Sequence, residues 1–96
     1  MMVLITYDVN TETPAGKKRL VKVAKECKNY GQRVQNSVFE CIIDLALLRQ
    51  LQAKLQEIID PKTDSIRYYY LGDEWKRRVE HIGAKPSLDL EGILIA

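Results

Sequence analysis

Asp8 is the first residue to test for chemistry, because it follows the strand-like run 2–7 and precedes a polar stretch containing Asn10, Thr11 and Thr13. A carboxylate at a strand end can face a cleft while its backbone stays rigidly paired. The ordinary alternative is an Asx turn with Asn10, and position alone favours that alternative. One carboxylate per chain is poor equipment for phosphodiester cleavage, which needs Mg²⁺ or Mn²⁺ to polarise the phosphate and activate water. A symmetric dimer whose loops after strand one meet near the two-fold axis would supply a second Asp8. The pair would form an oxygen site of the hard type these ions prefer.

The second constellation is basic. Net charge is only +2 over 96 residues, yet residues 17–33 hold Lys17, Lys18, Arg19, Lys22, Lys25, Lys28 and Arg33 against the single acid Glu26. At helical spacing Lys18, Lys22 and Lys25 lie opposite Leu20, Val23 and Cys27, where they can meet backbone phosphates without disturbing a core. A solvated lysine-rich helix is the plain alternative. Such asymmetry points one face toward a polyanionic partner. Tyr68, Tyr69 and Tyr70 suggest base stacking, although tyrosines on a half-covered sheet more often pack, and Trp75 reads as an anchor for the tail.

Other chemistries find no support. His81 is the only histidine, so no histidine-based zinc cluster or Ser-His-Asp arrangement is spelled out, and the five glycines are too scattered for a phosphate loop. Cys27 and Cys41 form no CxxC pair and sit among apolar residues, as two reduced core thiols of a cytoplasmic protein would. The first apolar run is too short to span a membrane and has no basic region before it, so neither a membrane partner nor a signal peptide is expected.

The elements that must position these groups follow from periodicity. Residues 2–7 are apolar on both faces, as in a central strand. Thr13 caps a helix over residues 14–29 with Pro14 at its first position, and Gly31 stops it. Residues 33–44 read as a second strand, with Ser37, Phe39, Cys41 and Ile43 on one face and Val38, Glu40 and Ile42 on the other. Asp44 caps a second helix with the stripe Leu48, Leu51, Leu55, Ile58 and Ile59, closed by Asp60 and Pro61. Residues 64–71 form a third strand, with Ile66, Tyr68 and Tyr70 opposing Arg67, Tyr69 and Leu71.

The tail offers two short strand-like runs, 79–82 and 93–95. One can complete the sheet while the other extends to a partner's edge. The whole is expected to be one α+β domain over residues 1–96, a ferredoxin-like βαββαβ plait. Its antiparallel sheet has both helices on one face, with strands one and three in the middle. A chain this short buries only roughly 60 to 65% of its unfolded surface, so a homodimer covering the open face, with a C-terminal strand extension, is expected.

Tyr7-Asp8-Val9, the Lys17-Lys18-Arg19 opening of helix one, the strand segment Arg33-Val34-Gln35-Asn36-Ser37-Val38-Phe39-Glu40, and Gly92-Ile93-Leu94-Ile95 resemble the Cas-two (Cas2) family of CRISPR systems. The likeness runs along essentially the whole chain, and the Gln-x-Ser-Val-Phe-Glu segment is its most specific part. It implies a ferredoxin-like homodimer with a strand-one aspartate binding Mg²⁺, or Mn²⁺, at the interface, and metal-dependent endonuclease activity on DNA or RNA. By position Asp8 takes the catalytic and metal role. Tyr7, Arg19, Arg33, Ser37 and Phe39 fall on the family's other site positions, with Asn10 beside them, while Lys17 stands where some members carry arginine. Nucleic-acid contacts are accordingly expected at Lys17, Lys18, Arg19, Lys22 and Arg33. The resemblance also implies partnership with the Cas-one integrase on duplex DNA during spacer acquisition, single-stranded RNA being the other candidate substrate. A non-catalytic scaffold of that complex and a toxin-type ribonuclease of the same fold are the alternatives.

Overall fold

The computed structural model describes residues 1–83. Its elements run β1 (Met2–Asp8), α1 (Pro14–Lys28), β2 (Gln32–Gln35), β3 (Val38–Ile42), α2 (Leu45–Ile58) and β4 (Ser65–Gly72), followed by a 3₁₀ turn at Trp75–Arg77. The strands form one antiparallel sheet in the order β2-β3-β1-β4, the arrangement of a ferredoxin-like plait.

Both helices start where the sequence puts a cap. Thr13 Oγ1 accepts a 3.0 Å hydrogen bond from the Gly16 N–H with Pro14 at the first helical position, and Asp44 Oδ1 accepts one of 2.8 Å from the Leu47 N–H. Each cap typically contributes about 1 kcal/mol. The helices bury Val23 and Cys27 from α1, and Leu48, Leu51 and Leu55 from α2, against Val3, Ile5, Tyr7, Phe39, Cys41 and Ile43 of the sheet side. Alternation then turns Leu4, Thr6, Asp8, Val38, Glu40, Ile42, Arg67 and Tyr69 to the opposite face, with no helix over it among the described residues. Glu40 on that face is half-buried; burial pushes its carboxyl up while nearby His81 draws it back.

The structure departs from the sequence pattern at three places. The stretch 33–44 is not one strand but a hairpin, β2 and β3 joined by a turn at Asn36 and Ser37, with a register shift between Arg33 and Gln35. Neither turn residue has positive φ, so the turn lacks the glycine signature of the common two-residue hairpins. The strand expected third is therefore fourth. It forms an edge of the described sheet, while β1 and β3 occupy the middle. Residues 79–82 form no strand, and the run 93–95, with the expected C-terminal extension, lies outside the described residues. Among the described residues no helix is long and apolar enough to cross a membrane.

Candidate active site and basic face

Asp8 ends β1 opposite Ser65 of β4, and its side chain is exposed on the face away from the helices. It lines a cleft of about 280 Å³ together with Thr6, Tyr7, Ser65, Arg67 and Tyr69. Its carboxylate has no ion-pair partner among the described residues. The Asx turn belongs to Asn10 instead, whose Oδ1 accepts from the Glu12 N–H at 2.9 Å. Asp8 is thus an exposed carboxylate that no ion pair among the described residues occupies.

Behind Asp8, the family-motif residues gather on the helix side of the sheet. The Tyr7 ring stacks on Phe39 with centroids 6.2 Å apart, and the Arg33 guanidinium lies 5.3 Å from the Phe39 ring centre. The Tyr7 hydroxyl donates to Asn36 O at 3.0 Å, and its N–H to Ser37 O at 3.1 Å. Burial raises the Tyr7 phenol's pKa, with the Arg33 guanidinium partly opposing it. Tyr7, Arg33, Ser37 and Phe39 therefore brace the end of β1 against the hairpin turn. They share a strand end with Asp8, but three of the four do not line its cleft.

Asn10 and Arg19 belong to a third group, organised by a residue to which the sequence assigns no role. The Asp64 side chain is fully buried. Its Oδ2 accepts from Arg19 Nε at 2.8 Å and from the Asp60 N–H at 2.9 Å, and its Oδ1 from the Asn10 N–H at 2.9 Å and the Thr63 hydroxyl at 3.1 Å. Burial alone would push this carboxyl up; the Arg19 guanidinium and the N–H donors of Asp60 and Asn10 outweigh it and hold it well below the usual carboxylate range. The clamp ties the β1–α1 loop to the α2–β4 loop. Gly16 seals it, since a Cβ there would run into the Asn10 carbonyl oxygen. Arg19 is consequently committed to Asp64 rather than held out to solvent. The pair joins residues 45 positions apart, a long-range contact that spacing does not announce.

The lysines of α1 behave as their spacing suggests. Lys17, Lys18, Lys22 and Lys25 are exposed, and Lys22 and Lys25 line a groove of about 340 Å³ beside α2 with Glu26, Asn29, Lys54, Glu57 and Ile58. This layer lies across the sheet from Asp8. Cys27 and Cys41 are fully buried and free, and burial pushes each thiol up to about 12.

The donor set at Asp8 can be tested against a divalent cation. Among the described residues no group of three or more His, Cys, Asp or Glu could hold a metal, so one chain does not build a closed cage there. Mg²⁺ does not require one: it keeps several waters and binds through one or two carboxylates. An exposed, unpaired Asp8 beside the hydroxyl-bearing Ser65 fits that demand.

Fold and site together define a ferredoxin-like α+β protein with one unspent carboxylate at a strand end and a separate basic helix. The chain belongs to the CRISPR-associated protein Cas2 family, whose family model matches residues 1–79. It is 62% identical over 95 residues, covering 99% of each chain, to a protein of Chlorobaculum tepidum named CRISPR-associated endoribonuclease Cas2. Identity is also 62%, with the same coverage, to one of Halalkalibacterium halodurans named CRISPR-associated endonuclease Cas2. The crystal structure of Streptococcus pyogenes Cas2 at pH 6.5 superposes with a TM-score of 0.76 at 65% identity, covering 86% of this chain and 100% of that one.

Proposed function

We propose that the protein is a metal-dependent endonuclease of CRISPR spacer acquisition that works in the cytoplasm as a homodimer. The observation that carries this reading is Asp8, an exposed carboxylate without an ion-pair partner among the described residues, held at the rigid end of an inner strand. Packing two open sheet faces together would bring Asp8 and its copy to one oxygen site and cover Leu4, Val38, Ile42 and Tyr69. A bound Mg²⁺ or Mn²⁺ would polarise the phosphodiester and supply an activated water. Asp8 would hold that ion, and the Tyr7-Phe39-Arg33 brace would fix the direction of Asp8's strand end. The relatives' names, endoribonuclease and endonuclease, support the reaction class and leave RNA and DNA both open as substrates.

The basic face of α1 favours a second role beside the first. Lys17, Lys18 and Lys22 are exposed on the layer opposite Asp8, so they can grip duplex DNA without the acidic site, as a scaffold for the Cas-one integrase would. The toxin-type alternative draws no support from relatives with CRISPR-associated names.

The deciding experiment is cleavage of matched single-stranded RNA and duplex DNA in Mg²⁺ by wild type and Asp8→Ala. A metal contribution of several kcal/mol, at about 1.4 kcal/mol per tenfold, predicts a loss of about a hundredfold or more in Asp8→Ala. Equal cleavage by both proteins would remove the catalytic reading. Unchanged DNA binding by the variant would leave the scaffold role in place.

A further inference from the structure

Three arginines lie near the strand ends that frame Asp8, and the fold treats them differently. Arg19 is bonded to buried Asp64, and Arg33 lies over Phe39 on the helix side. Arg67 is on the open face and lines the Asp8 cleft. The β1–β4 register sets Arg67 across from Thr6 while Ser65 faces Asp8, so Arg67 and Asp8 are diagonal neighbours on one face. Such diagonal pairs are about 7 to 8 Å apart, too far for direct contact between backbones but within reach of long side chains. Even so, Arg67 and Asp8 form no ion pair. The Arg67 guanidinium instead rests against the Tyr69 hydroxyl at 3.5 Å on its own strand.

We propose that Arg67 is the phosphate-gripping residue of the Asp8 site, donating its N–H groups to the non-bridging oxygens of the phosphodiester beside Asp8. The inference rests on the reading of Asp8 as the metal-holding carboxylate. A cation and an anion that share a cleft without neutralising one another leave room for a group that needs both. A phosphodiester is such a group: its charge would be met by the guanidinium, and Asp8 would hold the ion that polarises it. A planar guanidinium presents two parallel donors to phosphate oxygens, which a lysine ammonium cannot. Arg67 stays protonated throughout and transfers no proton. Neither its strand position nor its alternation with tyrosines marks it in the sequence; the register does.

The test compares wild type, Asp8→Ala, Arg67→Ala and Arg67→Lys. Cleavage of single-stranded RNA and duplex DNA is measured in Mg²⁺, and binding of the same oligonucleotides in Ca²⁺ against salt. Removing one preorganised donor at a site of developing charge typically costs about 10²- to 10³-fold in kcat. Arg67→Ala should show a loss of that order, Arg67→Lys should recover part of it, and folding midpoint and assembly mass should match wild type. Asp8-dependent cleavage that is equal in wild type and Arg67→Ala would overturn the proposal and leave the nuclease reading standing. If wild type shows no Asp8-dependent cleavage, the nuclease reading falls and binding decides Arg67: a salt slope reduced by about 1 in Arg67→Ala keeps it as a phosphate ligand, and an unchanged slope removes it. A changed midpoint or mass in Arg67→Lys would make the residue structural and overturn the proposal.

Discussion

Asp8 and Asp64 are near neighbours across the β1–β4 ladder, since Asp8 pairs with Ser65, yet they are handled in opposite ways. Asp64 is buried and accepts from Arg19, Asn10, Asp60 and Thr63. Asp8 is exposed and has no ion-pair partner among the described residues. The same side chain serves as a fastener where its lone pairs are saturated and as a candidate ligand where they are not. The fastener also serves the ligand, because it pins the loop into which β1 runs directly after Asp8.

The largest effect that would break this contrast is on stability. Removing one partner of a buried pair strands the other charge and costs about 3 to 5 kcal/mol; Arg19 is partly solvated, so Asp64→Ala should lose about 3 kcal/mol, read as a lower denaturant midpoint. Asp8→Ala should stay within about 0.5 kcal/mol of wild type, as surface substitutions do. A similar loss in both variants would mean that Asp8 is also structural.

Acid titration sharpens the contrast. Folding lowers Asp64's pKa from an unfolded value near 3.8, so its contribution is complete above that value and is lost as pH falls through it toward the folded one. The stability gap between wild type and Asp64→Asn should therefore be widest at neutral pH and shrink below about pH 4. Glu40, raised by burial, acts in the opposite sense at higher pH and is common to both proteins. A gap that does not vary with pH would remove the charge from the explanation.

The smallest expected effect separates committed from uncommitted basic residues. Lys18→Glu and Lys22→Glu should leave the folding midpoint unchanged and reduce the salt slope of DNA binding by about 1 for each phosphate no longer neutralised. Slopes equal to wild type would mark α1 as a merely solvated helix.

Both helices and their caps are legible in the sequence, because Thr13, Pro14 and Asp44 act within a few residues of themselves. The two faces of β3 and β4 are legible for the same reason, alternation being local. The hairpin is not, since Asn36 and Ser37 turn the chain without the glycine that advertises such turns. At the site, position raises Asp8 as a candidate but by itself favours an Asx turn, and it is family resemblance that gives Asp8 a metal role. Tyr7, Arg33, Ser37 and Phe39 stand out through family resemblance, and the structure gives them a shared location. Asp64 is silent in the sequence because its meaning depends on Arg19 and Asn10, which only tertiary folding brings to it.

The two thiols have a consequence of their own. Cys27 and Cys41 are sealed in the core with reactivity suppressed by burial, so an alkylating reagent can modify them only in molecules that have opened. The chain thereby carries an internal clock: the pace of labelling counts excursions from the closed form, with no probe added and no surface group altered.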